Sequence, residues 1–200
     1  MATSDAAVHY DLKSNNLIET VAAVSNRMES LPRFFANAPL ASLRRHPNNR
    51  DIDLSNVTRY LTQEWGRHLE TIVPKAHPCQ VTFDEVATQQ EFGRMALAMP
   101  EDERRVRYGA MADVQTWAHL KNATRSSDEN AGPGTSPQLP VLPPWIVLRV
   151  IRGQHRHLVL RKRIATELEV HDDDPAVESH PRAWWTVCIF PPGNLMRTCQ

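Results

Sequence analysis

A cationic stretch in the C-terminal part of the chain contains the side chains best suited to do chemistry. The sequence IRGQHRHLVLRKR (151–163) carries five Lys or Arg side chains, two histidines and no acid. Guanidinium and ammonium groups form charge-assisted hydrogen bonds with phosphate. A hairpin that turns at Gly153 and Gln154 would place these cations on a β-ribbon able to contact nucleic acid. The candidate nucleic-acid-binding residues are therefore Arg149, Arg152, His155, Arg156, His157, Arg161, Lys162 and Arg163.

The same cations have another interpretation, because the next sixteen residues contain six acidic side chains and no Lys or Arg. Opposite charges on neighbouring antiparallel strands stabilise each other across a sheet. Pairing of the basic segment with an acidic strand that carries Glu167 and Glu169 therefore ranks first. A phosphate-binding surface over residues 149–163 ranks second.

Metal binding ranks third. His155 and His157 would share one face of a strand, and His171, His180 and the aspartates at 172–174 could supply further ligands. However, the arginines beside His155 and His157 would repel a divalent cation. The sequence therefore predicts no metal site, and it predicts no other cofactor.

No known catalytic motif is found in the chain. It has seven glycines and contains no nucleophile elbow, no P-loop and no dinucleotide-binding glycine pattern. His77 and Cys79 lie two residues apart in a proline-containing loop, an arrangement that seldom forms a nucleophile–base pair. We predict no catalytic residue.

Helical patterns dominate residues 1–122. Capping residues and prolines predict four helix starts, at Asn16, at Asp53 or Ser55, at Thr82 and at Pro100. Residues 32–49 are expected to form an irregular segment between the first two helices. Four helices of this length can close a small bundle.

The composition changes at residue 123 and again at residue 145. Residues 123–144 are rich in Pro, Ser and Gly and are expected to form a linker or strap, extended in its second half. Residues 145–200 show alternating apolar positions typical of a three- or four-stranded antiparallel meander. The predicted fold class is α+β: a bundle-like helical part of about four helices (1–122), the strap, and a small antiparallel β part (145–200) that packs on or beside the helices.

The charge balance argues against a protein whose whole surface follows nucleic acid. Lys and Arg number 23, Asp and Glu also number 23, and the formal net charge is zero. No secretory signal pattern and no apolar run of the ~18 residues needed to span a membrane are present, and the three cysteines are widely spaced. We therefore expect a soluble intracellular (cytoplasmic) protein without membrane contact.

Three functional hypotheses follow from these observations. The first is a non-enzymatic structural or interaction subunit of a larger macromolecular assembly, with protein partners or self-assembly. The alternative is a nucleic-acid-binding protein, RNA-packaging or coat-like, that uses residues 149–163. The third is an enzyme of unrecognised type.

Overall fold

Five strands form one mixed β-sheet in the computed structural model, which describes residues 33–47, 51–129 and 139–192. They are β1 (Phe34–Pro39), β2 (Leu43–Arg45), β3 (Cys79–Phe83), β4 (Leu148–Arg152) and β5 (Trp184–Phe190). Their spatial order is β1-β5-β3-β4-β2. The pairs β1–β5 and β3–β4 are antiparallel, and the pairs β5–β3 and β4–β2 are parallel. Strands from the two halves of the chain thus alternate across the sheet.

The prediction of an N-terminal helical bundle followed by an antiparallel meander is therefore wrong. Residues 34–45, expected to be irregular, supply two strands, and Thr82, expected to cap a helix, lies inside β3. Ala36 and Ala38 alternate with more exposed neighbours in β1, which is the burial pattern of a strand. The pattern is short, and its partner β5 lies about 150 residues further along the chain, so that pairing could not be read from the local sequence.

Seven α-helices surround this sheet in the described part of the chain. They are α1 (Leu54–Thr62), α2 (Glu64–Arg67), α3 (Glu85–Met95), α4 (Glu101–Tyr108), α5 (Trp117–Glu129), α6 (Gln154–Leu168) and α7 (Pro175–Ser179). Six consecutive residues of β5, from Trp185 to Phe190, are buried. Because neighbouring side chains of a strand point to opposite faces, both faces of the sheet are covered at β5.

Some predicted helix starts are confirmed. Asp53 caps α1, since its carboxylate accepts hydrogen bonds from the N–H groups of Ser55 (2.9 Å) and Asn56 (3.4 Å). Pro100 precedes α4, whose first turn contains three acids. Helix α3 begins two residues later than the predicted capping box, and its cap is Asp84. The predicted helix near Asn16 lies outside the described residues.

The second and third strands of the meander were predicted over residues 156–162 and 164–170. Residues 154–168 instead form the single helix α6. Its buried side chains, Val159, Leu160, Ile164 and Ala165, recur at helical spacing. The helix consists mostly of residues with good helix propensity, such as Leu, Arg and Lys. The short alternation at 164–170 suggested strand pairing, but the burial of one helical face outweighs it.

The second half of the strap lies against the sheet. The N–H of Asn37 donates to the carbonyl of Pro140, and the N–H of Leu142 donates to the carbonyl of Asn37, both at 2.8 Å. Leu142 is buried, with 1% of its surface exposed. Residues 139–142 therefore protect part of the outer edge of β1.

Glycine is required at position 153. Gly153 has φ +97°, which disfavours any L side chain, and a Cβ there would lie 2.5 Å from Cys79 Sγ. We expect Gly153→Ala to lower the free energy of unfolding by at least about 1 kcal/mol. Denaturant unfolding followed by circular dichroism measures the change.

Gly93→Ala is the matched control, because Gly93 lies in α3 and a Cβ there meets nothing within 4 Å. The free energy of unfolding of this variant should rise by about 0.5–1 kcal/mol, because alanine restricts the unfolded chain more than glycine does. Equal stability of the two variants would contradict the strain at position 153.

Candidate functional site

The strongest candidate site is a polar cavity of about 320 Å³ where β4 leads into α6. We call it the α6 pocket; its lining includes Tyr60, Gln80, Arg152, Gly153, His155 and Arg156. Gln80 and Arg152 lie opposite each other on the antiparallel strands β3 and β4. Directly opposed side chains share a face of the sheet. The strand pairing thus brings together two residues that are 72 positions apart in the chain.

The start of α6 borders the pocket through Gly153, His155 and Arg156. Gly153 is the N-cap of the helix, and no side chain caps it. The first N–H groups of a helix have no intrahelical acceptor, and the helix dipole adds a partial positive charge at the same end. A strand, a glycine in the left-handed region and a long helix together form an arrangement that suits an anion.

Two arginines add full positive charge to this pocket. Arg152 is exposed and Arg156 is partly buried. Neither has an ion-pair partner within residues 33–47, 51–129 and 139–192, and no carboxylate of those residues lines the cavity. An anionic ligand would therefore meet two uncompensated guanidinium groups.

Neutral hydrogen-bonding groups complete the pocket. His155 Nε2 accepts a hydrogen bond from the N–H of Asp53 at 3.1 Å. The neutral imidazole therefore carries its proton on Nδ1, which becomes a donor. Gln80 Oε1 is buried and has no hydrogen-bond partner among the described groups. The pocket can thus accommodate a ligand that carries both acceptor oxygens and a donor.

The other predicted cations make intramolecular contacts instead. Arg149 Nε donates to Asp84 Oδ2 at 2.7 Å, and Arg161 pairs with Glu178 at 3.1 Å. Lys162 Nζ lies 2.9 Å from Asp172 Oδ2. Arg163 donates to the carbonyls of Leu61 and Gly66, the first of which belongs to the last turn of α1. Four of the eight predicted site residues thus stabilise the fold.

The acidic partners of α6 are not those predicted. Asp172 and Glu178 follow the helix in a loop and in α7, whereas Glu167 lies 3.7 Å from His180. Pairing across a hairpin is excluded because residues 154–168 are helical. The basic and acidic segments do form ion pairs, but these pairs join α6 to the following loop and to α7 instead of joining two strands.

The two histidines of α6 cannot act as adjacent metal ligands. Residues two positions apart on an α-helix point about 200° apart around its axis. His155 faces the α6 pocket, whereas His157 Nδ1 is buried without a hydrogen-bond partner in the described structure. Burial, assisted by Arg161 and His155, lowers the pKa of His157 to about 4.

A second cluster, His171, Asp172 and Asp173, has ligand atoms within 4.8 Å of one another. The ammonium of Lys162 is bound to Asp172, and His171 and Asp173 are exposed. Exposed acidic loops of this kind commonly hold no ion, so we propose no metal site there.

Of the two residues considered for nucleophilic chemistry, Cys79 belongs to the core and His77 is exposed. Burial raises the pKa of Cys79 to about 12, against a small opposing effect of Arg156. The carbonyl of His77 accepts a hydrogen bond from Trp185 Nε1 at 2.8 Å. A thiol that remains protonated beside the sheet is a packing group, not a nucleophile.

Sequence reasoning missed Tyr60 and Gln80. Tyr60 lies in α1, and nothing local indicates that Gln80 lies opposite Arg152. One signal was present: Gly153 between a β-branched segment and a segment rich in helix formers marks a strand–glycine–helix junction.

His157 should make stability dependent on pH. The pKa is about 4 in the folded chain and near 6.5 when exposed, so the unfolded chain binds the proton more tightly. The neutral imidazole of His157 therefore contributes fully to the free energy of unfolding above about pH 6.5. This contribution, up to about 3 kcal/mol, is lost as the pH falls towards 4. Urea unfolding across this range should therefore show a flatter pH dependence for His157→Gln than for the parent chain. Identical slopes would show that this imidazole is not held neutral.

Cys79 should resist alkylation. In native protein at mildly alkaline pH, iodoacetamide should leave the Cys79 peptide unmodified, as determined by mass spectrometry. After unfolding in guanidinium, the same peptide should react completely. Rapid native labelling would contradict the burial and the raised pKa of this thiol.

No helix within the described ranges is long and apolar enough to cross a membrane. The chain matches no protein-family model, no curated protein and no solved structure.

Proposed function

We propose that this protein binds a nucleotide, free or at the end of a nucleic-acid strand, through one phosphate group held in the α6 pocket. One observation carries the proposal: Arg152 and Arg156, neither paired with an acid in the described structure, line the same cavity as the start of α6. Guanidinium groups and helix N-termini both bind phosphate in proteins.

The pocket favours a single phosphate over an extended backbone. Arg149, Arg161, Lys162 and Arg163 are engaged by acids or carbonyls of the same chain. The continuous ribbon of cations expected over residues 149–163 is therefore reduced to two arginines. A protein that follows a duplex neutralises many phosphates at once, and the balanced net charge offers no such surface.

The uncharged residues that line the α6 pocket favour a nucleotide as the ligand over inorganic phosphate. The Tyr60 ring lines the cavity, and aromatic rings bind bases by stacking. The buried Gln80 Oε1 can accept a hydrogen bond from a base amine or a sugar hydroxyl. A cavity of about 320 Å³ has room for more than a phosphate group alone.

The expected role as a structural or interaction subunit remains a prediction. It is compatible with nucleotide binding, because a subunit of an assembly can also hold a strand end.

Fluorescence anisotropy with a short single-stranded oligonucleotide tests the proposal. The parent chain should bind the 5′-phosphorylated strand roughly tenfold more tightly than the 5′-hydroxyl strand, because only the former offers a terminal phosphate. The logarithm of affinity should fall with the logarithm of salt with a slope of roughly −1, whereas six contacts would give roughly −4.

Arg152→Gln and Arg156→Gln should each weaken binding of the phosphorylated strand, and together they should abolish the preference. Lys162→Gln is the matched control, since it removes a cation of the same helix that lies outside the α6 pocket and is paired with Asp172. An equal loss of affinity in the Lys162→Gln variant, or a steep salt dependence of binding by the parent chain, would contradict binding through the α6 pocket. Either result would instead support a broad cationic surface over residues 149–163. Absence of binding at low salt would refute both.

A further inference from the structure

Two further cavities, distinct from the α6 pocket, share one tryptophan in their linings. One has a volume of about 500 Å³ and includes Tyr108, Val141 and Pro144 in its lining. The other has a volume of about 280 Å³ and includes Ile72, Val73 and Leu160. Both are lined by Trp184, the partly exposed first residue of β5. We call the two cavities and their shared side chain the Trp184 groove.

The groove exposes apolar surface that the described residues do not cover. Val73 is 53% exposed and Val141 is 60% exposed, and each lines one of the two cavities. Trp184 adds an aromatic surface between them. Apolar residues grouped in a concave surface, rather than scattered singly, are typical of sites that bind another chain.

The rim of the groove is positively charged. Arg107 borders the larger cavity, and Lys75 and Arg182 border the smaller one; all three are exposed and have no ion-pair partner in the described part of the chain. Of the two acids at the groove, Glu178 is already paired with Arg161. Among the acids that line the two cavities, this leaves Glu70 to oppose the three cations. The uncompensated charge at the rim is therefore about +2.

We propose that the Trp184 groove binds a short acidic segment of a partner protein, in which carboxylates are interspersed with apolar side chains. The apolar side chains would enter the two cavities beside Trp184, and the carboxylates would pair with Lys75, Arg107 and Arg182. The charge of the rim selects this partner over a basic or neutral one. The site shares no lining residue with the α6 pocket, so it does not depend on nucleotide binding.

Binding of designed peptides to the full chain tests this site. The probes are three labelled peptides of equal length: one alternates Glu with Leu, one alternates Lys with Leu, and one alternates Glu with Ser. The Glu/Leu peptide should bind roughly tenfold or more tightly than either of the others, because only it satisfies both charge and apolar surface. The preference over the Lys/Leu peptide should shrink as salt is raised, since exposed charges are screened.

Charge reversal gives the sharper test. Lys75→Glu combined with Arg182→Glu should invert the preference, so that the Lys/Leu peptide binds better than the Glu/Leu peptide. Arg59→Glu is the control, because Arg59 is exposed and lines neither cavity, and it should leave the preference unchanged.

Other outcomes overturn the proposal. Equal binding of all three peptides, or insensitivity to the double reversal, would show that the groove does not select acidic segments. Sedimentation of the full chain distinguishes the remaining occupant: a dimer that the double reversal dissociates, without any peptide binding, would assign the groove to a second copy of this chain.

Discussion

The close contact between Gly153 and Cys79 determines where the α6 pocket lies. The start of β3 approaches the end of β4 so tightly that the position after Arg152 has no room for a Cβ. The left-handed backbone of Gly153 then redirects the chain from the sheet into α6. That redirection aims the first turn of the helix at Gln80 and Tyr60. The α6 pocket is thus a consequence of one strand-to-helix turn.

The same turn sorts the cations of residues 149–163 into two groups. Residues at the start of α6 face a cavity, whereas those in its middle face the helices and loops packed around it. Arg163 contacts backbone carbonyls at α1 and α2, and Arg161 and Lys162 hold the segment after the helix. A helix rotates successive side chains by about 100°, so neighbours in sequence receive different partners.

The sheet also explains why two unrelated surfaces can coexist. Its central strand β3 is paired on both sides, and the outer edge of β1 is partly protected by residues 139–142. The α6 pocket forms at the end of β4, while the Trp184 groove forms at the start of β5. Each site draws on helices that follow or precede those strands, so neither needs to disturb the core.

The sequence by itself determined the helix starts at Asp53 and Pro100 and the strand that becomes β5. It also showed that the chain carries no known catalytic motif. Caps, prolines and β-branched runs act within a few residues, which is why they can be read directly. Tertiary structure alone decided the mixed sheet, the helical state of residues 154–168 and the distinction between structural and pocket-lining cations. Those outcomes depend on contacts such as Gln80 with Arg152 and Arg163 with Leu61. No spacing within the sequence specifies contacts between residues so far apart, because their energy appears only when the chain has closed around its core.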